Sequence, residues 1–182
     1  MRFDIQRFAA AKGPRSLYVV PERRVVRARH VAPGRTLHLI DIENLVGGSA
    51  ASCGEVAAVS ADYHRTAPVR SCDHVIVAAG ARIAMDAGLV WRGAQLVVGR
   101  GVDGADRALL AAVADPQWVA ARFDQVVLGS GDGIFLPLLT SLRSLGIATG
   151  IVAPEHSISW ALQRQADFVR PLHCPHAAQW VA

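Results

Sequence analysis

The 182-residue chain is 52% hydrophobic and 19% charged, a balance that supports a buried core and argues against intrinsic disorder. Its length suits one domain, because a single core commonly serves about 100–200 residues. No apolar run approaches the roughly 20 residues of a membrane helix. The N-terminus also lacks the uninterrupted apolar stretch of a secretory signal. We therefore expect a cytoplasmic protein with no membrane partner.

Positive charge is concentrated at the start of the chain. The net charge of +4 divides into +7 for residues 1–35, which hold nine basic and two acidic side chains, and −3 for the remainder. Residues 1–35 contain several Pro and Gly and show no sustained period, as is typical of a flexible arm. Because arginine contacts phosphate in a bidentate way, the arm is a candidate RNA-binding segment. A solvated leader without function is the alternative.

The three cysteines, Cys53, Cys72 and Cys174, are scattered along the chain. Their odd number and the absence of a C-x-x-C pair argue against a disulfide framework and a structural zinc site, so reduced thiols are expected. Cys174 falls in residues 173–182, which we assign to a C-terminal tail.

Between residues 36 and 172, short apolar runs alternate with stretches of helical spacing. The connections are too long for hairpins, which indicates an α/β fold: a mostly parallel, Rossmann-like sheet covered by helices on both faces, in three layers. Six strands are predicted, at Leu37–Ile40, His74–Ala78, Gln95–Val98, Val126–Leu128, Ala148–Val152 and Phe168–Val169. Five helices are predicted, around Glu55–His64, Ala81–Ala87, Ala105–Ala114, Ile134–Leu145 and Ser157–Ala166.

Aspartates stand at three of the strand-to-helix junctions. Asp41 directly follows the first strand, and Asp132 follows the fourth within a glycine-rich turn. After the third strand, Asp103 is the predicted N-cap of a helix and Asp106 lies in its first turn. Each residue alone could be an ordinary cap or turn aspartate. Functional groups of parallel sheets gather beyond the carboxyl ends of the strands, however, so the three junctions are expected to meet at one edge.

A cluster of three carboxylates would be repulsive unless a cation lay among them. Hard oxygen ligands suit Mg²⁺ or Mn²⁺. Such an ion can polarise a phosphate oxygen and lower the pKa of an attacking water, which is what phosphodiester hydrolysis requires. The junctions therefore favour metal-assisted hydrolysis without a nucleophilic side chain.

The three motifs, in this order, resemble those of NYN domains. They are D-I-E-N from Asp41, G-A-D-R-A-L-L from Gly104 and S-G-D-G-I-F from Ser130. The likeness covers about residues 36–172, and NYN domains are similar to PIN nucleases. The resemblance implies a Rossmann-like fold, dependence on a divalent metal and ribonuclease activity.

Residue roles follow from the same resemblance. It implies that Asp41, Asp106 and Asp132 are catalytic metal ligands and that Asn44 is their polar partner. Asp103 is the alternative second ligand, because the preceding G-V-D also resembles the motif of some NYN domains; we prefer Asp106.

Three further residues are candidates for substrate binding. Ser130 would orient Asp132 or contact a phosphate. The family often has a lysine near the second motif, where this chain has Arg100 and Arg107, and either guanidinium could hold a phosphate.

The preferred function is a metal-dependent endoribonuclease, and the alternative is a catalytically inactive RNA-binding or complex-forming NYN module. A dinucleotide-binding fold is disfavoured because G-S-G-D-G lacks the G-x-G-x-x-G spacing and follows the fourth strand. A haloacid-dehalogenase-like phosphatase is disfavoured because Glu43, not aspartate, stands two residues after Asp41. The sequence leaves open the RNA substrate and the oligomeric state, a homo-oligomer included.

We predict that the arm contributes affinity and not chemistry. Deleting the residues before Thr36 should weaken RNA binding and flatten its salt dependence, because phosphate contacts and the counterions they release are lost. The measurement is a titration of RNA with the truncated and full-length chains at several salt concentrations. An unchanged salt slope would show that the arm plays no part in binding.

Overall fold

The computed structural model describes residues 34–173, and its centre is a six-stranded sheet in the order β3-β2-β1-β4-β5-β6. Every neighbouring pair is parallel. The strands are β1 (Thr36–Asp41), β2 (His74–Gly80), β3 (Gln95–Gly99), β4 (Gln125–Gly129), β5 (Ala148–Pro154) and β6 (Phe168–Leu172). The predicted α/β class and the six predicted strands are confirmed.

Seven helices connect the strands within these residues. They are α1 (Ile42–Val46), α2 (Cys53–Thr66), α3 (Ala84–Val90), α4 (Gly104–Ala112), α5 (Pro116–Ala120), α6 (Leu136–Ser144) and α7 (Trp160–Gln165). Short 3₁₀ turns occupy Gly133–Phe135 and Glu155–Ser157. Helices α2 and α3 pack together, and α6 packs against α5 and α7. With right-handed crossovers, this strand order places the two groups on opposite faces of the sheet.

Two short helices were not predicted from the sequence. Helix α1 has five residues, is capped by Asp41 and ends at Gly47 in the left-handed conformation. Helix α5 also has five residues and begins at Pro116 behind the cap Asp115. Neither is long enough to show the repeating apolar positions by which a helix is recognised.

The sheet order makes the β1–β4 pair the topological switch point. The chain builds outward from β1 to β2 and β3 on one side, then returns to start β4 on the other side. Crossovers diverge at this point and leave a crevice beyond the carboxyl ends of the strands. Strand β1 is buried along its whole length because helices cover both faces, so its polar residues Thr36, His38 and Asp41 are buried together with its leucines.

The opposite, amino edge of the sheet is closed by a polar network. Asp73 accepts hydrogen bonds from the Thr36 backbone N–H and from the Arg70 guanidinium. Arg70 also donates to the Gly34 carbonyl, and Arg35 donates to the Cys72 carbonyl at 3.0 Å. Gly34 and Arg35 therefore belong to this edge, and the deletion that tests the arm should end at residue 33 and not, as the sequence suggests, at Arg35.

The arm and the tail fall almost entirely outside the described residues, so the predictions for residues 1–33 and for Cys174 stay predictions. Cys53 and Cys72 are exposed free thiols. No helix in residues 34–173 is long and apolar enough to cross a membrane.

Gly99 sets how closely α4 approaches the sheet. A Cβ atom at Gly99 would lie 1.9 Å from the backbone carbonyl carbon and oxygen of Gly104. Backbone atoms cannot rotate away as a side chain can, so any larger residue would push back the start of α4. The same helix carries Asp106 in its first turn.

We predict that Gly99→Ala lowers the free energy of unfolding by about 1–3 kcal/mol, the usual cost of overpacking. Gly54→Ala is the matched control, because the nearest atom to a Cβ at Gly54 in α2 is 3.9 Å away. In a helix, alanine is favoured over glycine, so the control should be neutral or slightly stabilised. Urea unfolding measures both; equal midpoints for the two variants would contradict the close approach at Gly99.

Candidate active site

Asp41 is a buried carboxyl group at the carboxyl end of the central strand. It is the last residue of β1 and the N-cap of α1, and it is only 3% exposed. Its Oδ1 accepts a hydrogen bond from the Asn44 backbone N–H at 3.3 Å, and its Oδ2 accepts one from the Ser130 hydroxyl at 3.1 Å. Both oxygens are thus fixed in direction.

Asp106 places a second carboxyl group against the first. It lies in the first turn of α4, a helix that packs across β3, β2 and β1. Burial, then the charge of Asp106 and a hydrogen bond between the two carboxyls, raises the pKa of Asp41 to about 8. Burial is also the largest cause that raises the pKa of Asp106. In the absence of a cation, the pair therefore holds a shared proton at neutral pH.

Asp132 reaches the same edge from β4. It is exposed, and it caps the 3₁₀ turn by accepting from the Ile134 backbone N–H at 2.9 Å. Its negative charge is one of the influences that raise the pKa of Asp106. The three predicted aspartates therefore meet at the carboxyl edge, with Asp41 and Asp106 in contact and Asp132 at the solvent side.

Ser130 and Asn44 tie the β4 turn to the end of β1. The Ser130 hydroxyl donates to Asp41 and accepts from the Asp132 backbone N–H at 3.2 Å. The Asn44 side-chain oxygen accepts from the Gly131 backbone N–H at 2.9 Å. Ser130 is 0% exposed, so its hydroxyl orients Asp41 and the Asp132 backbone and does not face a substrate.

The glycine turn before Asp132 serves packing and not ligand access. A Cβ at Gly131 would lie 2.3 Å from the Ser157 carbonyl oxygen, and the Gly131 carbonyl accepts from the Ser159 N–H at 2.8 Å. The backbone of Gly131 does not have a positive φ, so no left-handed conformation requires glycine at this position. The β4 and β5 turns thus lie backbone to backbone, which holds Asp132 in place.

The prediction that the Asp103 side chain caps α4 is wrong. Asp103 occupies the N-cap position of α4, but its side chain accepts no hydrogen bond from the helix. Its backbone is left-handed, with φ 51°, whereas a capping residue is extended. Asp103 is exposed and adds negative charge near Asp106. Of the two candidates for the second ligand, Asp106 is the one that contacts Asp41.

Glu43 is an acidic group of this edge that the sequence motifs did not single out. Its pKa is raised by burial and then by the charge of Asp106, and its carboxylate accepts a hydrogen bond from the Gly80 backbone. A Cβ at Gly80 would lie 2.5 Å from Glu43 Oε1. The signal was present in D-I-E-N, but a glutamate in the first turn of a helix is commonly explained by the helix dipole alone.

An open cleft of about 420 Å³ borders this edge at the ends of β2 and β3. The lining includes four charged residues, Glu43, Arg82, Arg100 and Asp103. Arg100, a predicted phosphate contact, lines this cleft together with Arg82, which the sequence motifs did not single out. Arg107 differs, because its guanidinium donates to the Val102 carbonyl and is engaged in holding the loop before α4.

The donor set fits a hard divalent cation at the Asp41–Asp106 pair. Two adjoining carboxyl groups that need a proton to coexist would bind Mg²⁺ or Mn²⁺ in place of that proton. Within residues 34–173, however, no group of three acidic, His or Cys side chains is arranged as a ready metal site. Asp132 lies near the pair but does not form such a ready three-carboxylate site with it, so its role as a third ligand stays a prediction.

The fold and site define a parallel α/β protein with an acidic centre at the switch point of its sheet. The NYN domain family model matches residues 39–172, and the chain belongs to this family of PIN-like nucleases. A crystal structure of a protein of unknown function from Vibrio parahaemolyticus RIMD 2210633 has a similar fold, with a TM-score of 0.53 and 17% sequence identity over 76% of this chain and 93% of that chain. No curated protein sequence matches the chain.

We predict that the metal-free protein loses stability as the pH rises from about 4 to about 8. The folded chain holds the Asp41 proton up to a pKa of about 8, against a usual value of 3.8. The folded state therefore binds more protons than the unfolded state in this window, and the free energy of unfolding falls by up to about 1.4 kcal/mol per pH unit. Melting temperatures measured in EDTA test this directly.

Two variants separate Asp41 from other titrating groups. Asp41→Asn should show a flatter pH profile, whereas Asp115→Asn, at an exposed helix cap, should follow the wild type. At pH 8, Mn²⁺ should raise the melting temperature of the wild type and not of Asp41→Asn. A wild-type profile as flat as that of Asp41→Asn would contradict the shared proton.

Proposed function

We propose that the chain is a divalent-metal-dependent endoribonuclease that hydrolyses RNA phosphodiester bonds at the Asp41–Asp106 pair. The observation that carries the proposal is the contact between these two carboxyl groups at the switch point of a sheet in a PIN-like nuclease family. We further propose that residues 36–172 form the nuclease domain, with the arm at residues 1–35, the tail at residues 173–182 and the cytoplasm as the place of action.

The residues of the site fall into metal ligands and positioning residues. Asp41 and Asp106 would hold Mg²⁺ or Mn²⁺, with Asp132 as a further ligand from the solvent side. When bound, the ion would lower the pKa of an attacking water and stabilise charge on the phosphate. Ser130 fixes the direction of Asp41 Oδ2, and Asn44 holds the β4 turn, so both are positioning residues.

The inactive RNA-binding module is the alternative function. A module needs basic surface but has no use for a buried carboxyl pair, which costs stability at neutral pH unless a cation compensates. A feature that destabilises the fold at the position of ligand binding is expected of a functional site. The pair therefore favours the enzyme.

Cleavage of RNA is the direct test. The purified chain should cleave single-stranded RNA with Mg²⁺ or Mn²⁺, stop when EDTA is added and work poorly with Ca²⁺. Asp106→Asn and Asp132→Asn should each reduce the cleavage rate by about a hundredfold or more, the scale of lost electrostatic stabilisation. Asp132→Asn should keep its melting temperature, because an asparagine oxygen can still accept from Ile134.

Two other aspartates serve as comparisons. Asp115→Asn is the matched control and should cleave like the wild type, since it changes a cap of α5 in the same chemical way. Asp103→Asn should also retain most activity; loss of cleavage in Asp103→Asn but not in Asp106→Asn would exchange their roles. Binding without cleavage on several RNAs would favour the inactive module, and cleavage that persists in EDTA would contradict the metal mechanism.

A further inference from the structure

Arg82 and Arg100 differ from every other arginine in the described part of the chain. Neither has a hydrogen bond, an ion pair or an aromatic contact among residues 34–173, and both are exposed. The remaining arginines each donate to an acceptor or stack on a ring: Arg35, Arg65, Arg70, Arg92, Arg107, Arg122, Arg143, Arg164 and Arg170. The two uncommitted guanidiniums line one and the same cleft.

The sheet places both arginines at the edge that carries the carboxylates. Gly80 and Gly99 are register partners and the last residues of β2 and β3. Arg100 follows its strand directly, and Arg82 lies two residues beyond the other strand. Both therefore stand at the carboxyl edge, on the β3 side of Asp41.

The negative charge of the carboxyl edge explains why a substrate phosphate would need nearby arginines. Asp41, Asp106 and Asp132, together with Glu43 and Asp103, give the edge a negative potential that repels a phosphate backbone. A guanidinium that already serves a carboxylate or carbonyl offers less to a phosphate than one without a partner. The cleft also has the size of an ordinary small-ligand site, which begins at about 300 Å³.

We propose that this cleft is a phosphate-binding subsite in which Arg82 and Arg100 hold the RNA backbone next to the phosphate that is cut. The proposal rests on the nuclease function above and extends it, because it assigns the path of the strand across the ends of β2 and β3. Arg107, held by the Val102 carbonyl, lies outside the subsite and shapes its loop.

The test is the salt dependence of RNA binding by the full-length chain. A fluorescent single-stranded RNA is titrated in EDTA, so that no cleavage occurs, and the logarithm of the association constant is plotted against that of the salt concentration. Arg82→Ala and Arg100→Ala should each reduce the slope by about 0.7, the value for one phosphate contact on a single strand. Arg100→Lys should keep the slope because it keeps the charge.

Arg92→Ala is the matched control. Arg92 is exposed, donates to the Leu89 carbonyl and precedes β3, at the amino edge of the sheet, so its loss should leave the slope unchanged. In cleavage assays with Mn²⁺, the two cleft variants should raise KM more than they lower kcat.

The outcomes separate this proposal from the nuclease function. If Arg82→Ala and Arg100→Ala show the slope of Arg92→Ala, or if the wild type binds no RNA, the subsite is wrong, whether or not cleavage occurs elsewhere. If both variants lose slope while the wild type never cleaves RNA, the subsite stands as an RNA-binding surface and the nuclease function is wrong.

Discussion

The contact between the Asp41 and Asp106 carboxyl groups is the interaction on which the other features of the site depend. A buried carboxylate beside a second one is unfavourable in an apolar surrounding unless a proton or a cation compensates. The fold supports the arrangement with directed hydrogen bonds from Ser130 and the Asn44 backbone. The absence of a side chain at Gly99 also lets the start of α4, which carries Asp106, lie close to β3. The two carboxyl groups at the carboxyl edge therefore repel each other unless a proton or a cation binds between them.

The parallel sheet accounts for the placement of this pair. Strand β1 lies between β2 and β4, so groups that follow β1, β3 and β4 in sequence converge near the end of β1. The β3 side then supplies α4 and the cleft that contains Arg82 and Arg100. The β4 side supplies Asp132 and Ser130, whose hydroxyl is hydrogen-bonded to Asp41 and to the Asp132 backbone. The acidic centre and the cleft that contains Arg82 and Arg100 are consequences of one topology, and together they suit a ligand that is both metal-binding and anionic, as a phosphodiester is.

Sequence reasoning predicted the fold better than the details of the site. The strands were recognisable as short apolar runs, most clearly in the central strands that are buried on both faces, and the aspartates were recognisable because they lie in the junctions after those runs. The left-handed backbone of Asp103 was not predictable, because an aspartate before a helix normally caps it. The roles of Glu43 and Arg82 depend on the pairing of β2 with β1 and β3, which no local pattern encodes. The burial of Ser130 likewise depends on packing between turns distant in sequence.

The most direct test of the proposed metal centre is a crystal structure of the protein soaked in Mn²⁺, with anomalous diffraction to locate the ion. We expect anomalous density between Asp41 and Asp106, with Asp132 drawn towards it, and no such density in an Asp106→Asn crystal soaked in the same way. Density bound elsewhere, or a fully soaked crystal in which Asp41 and Asp106 remain paired without an ion, would contradict the central claim that this pair is a metal-dependent catalytic centre.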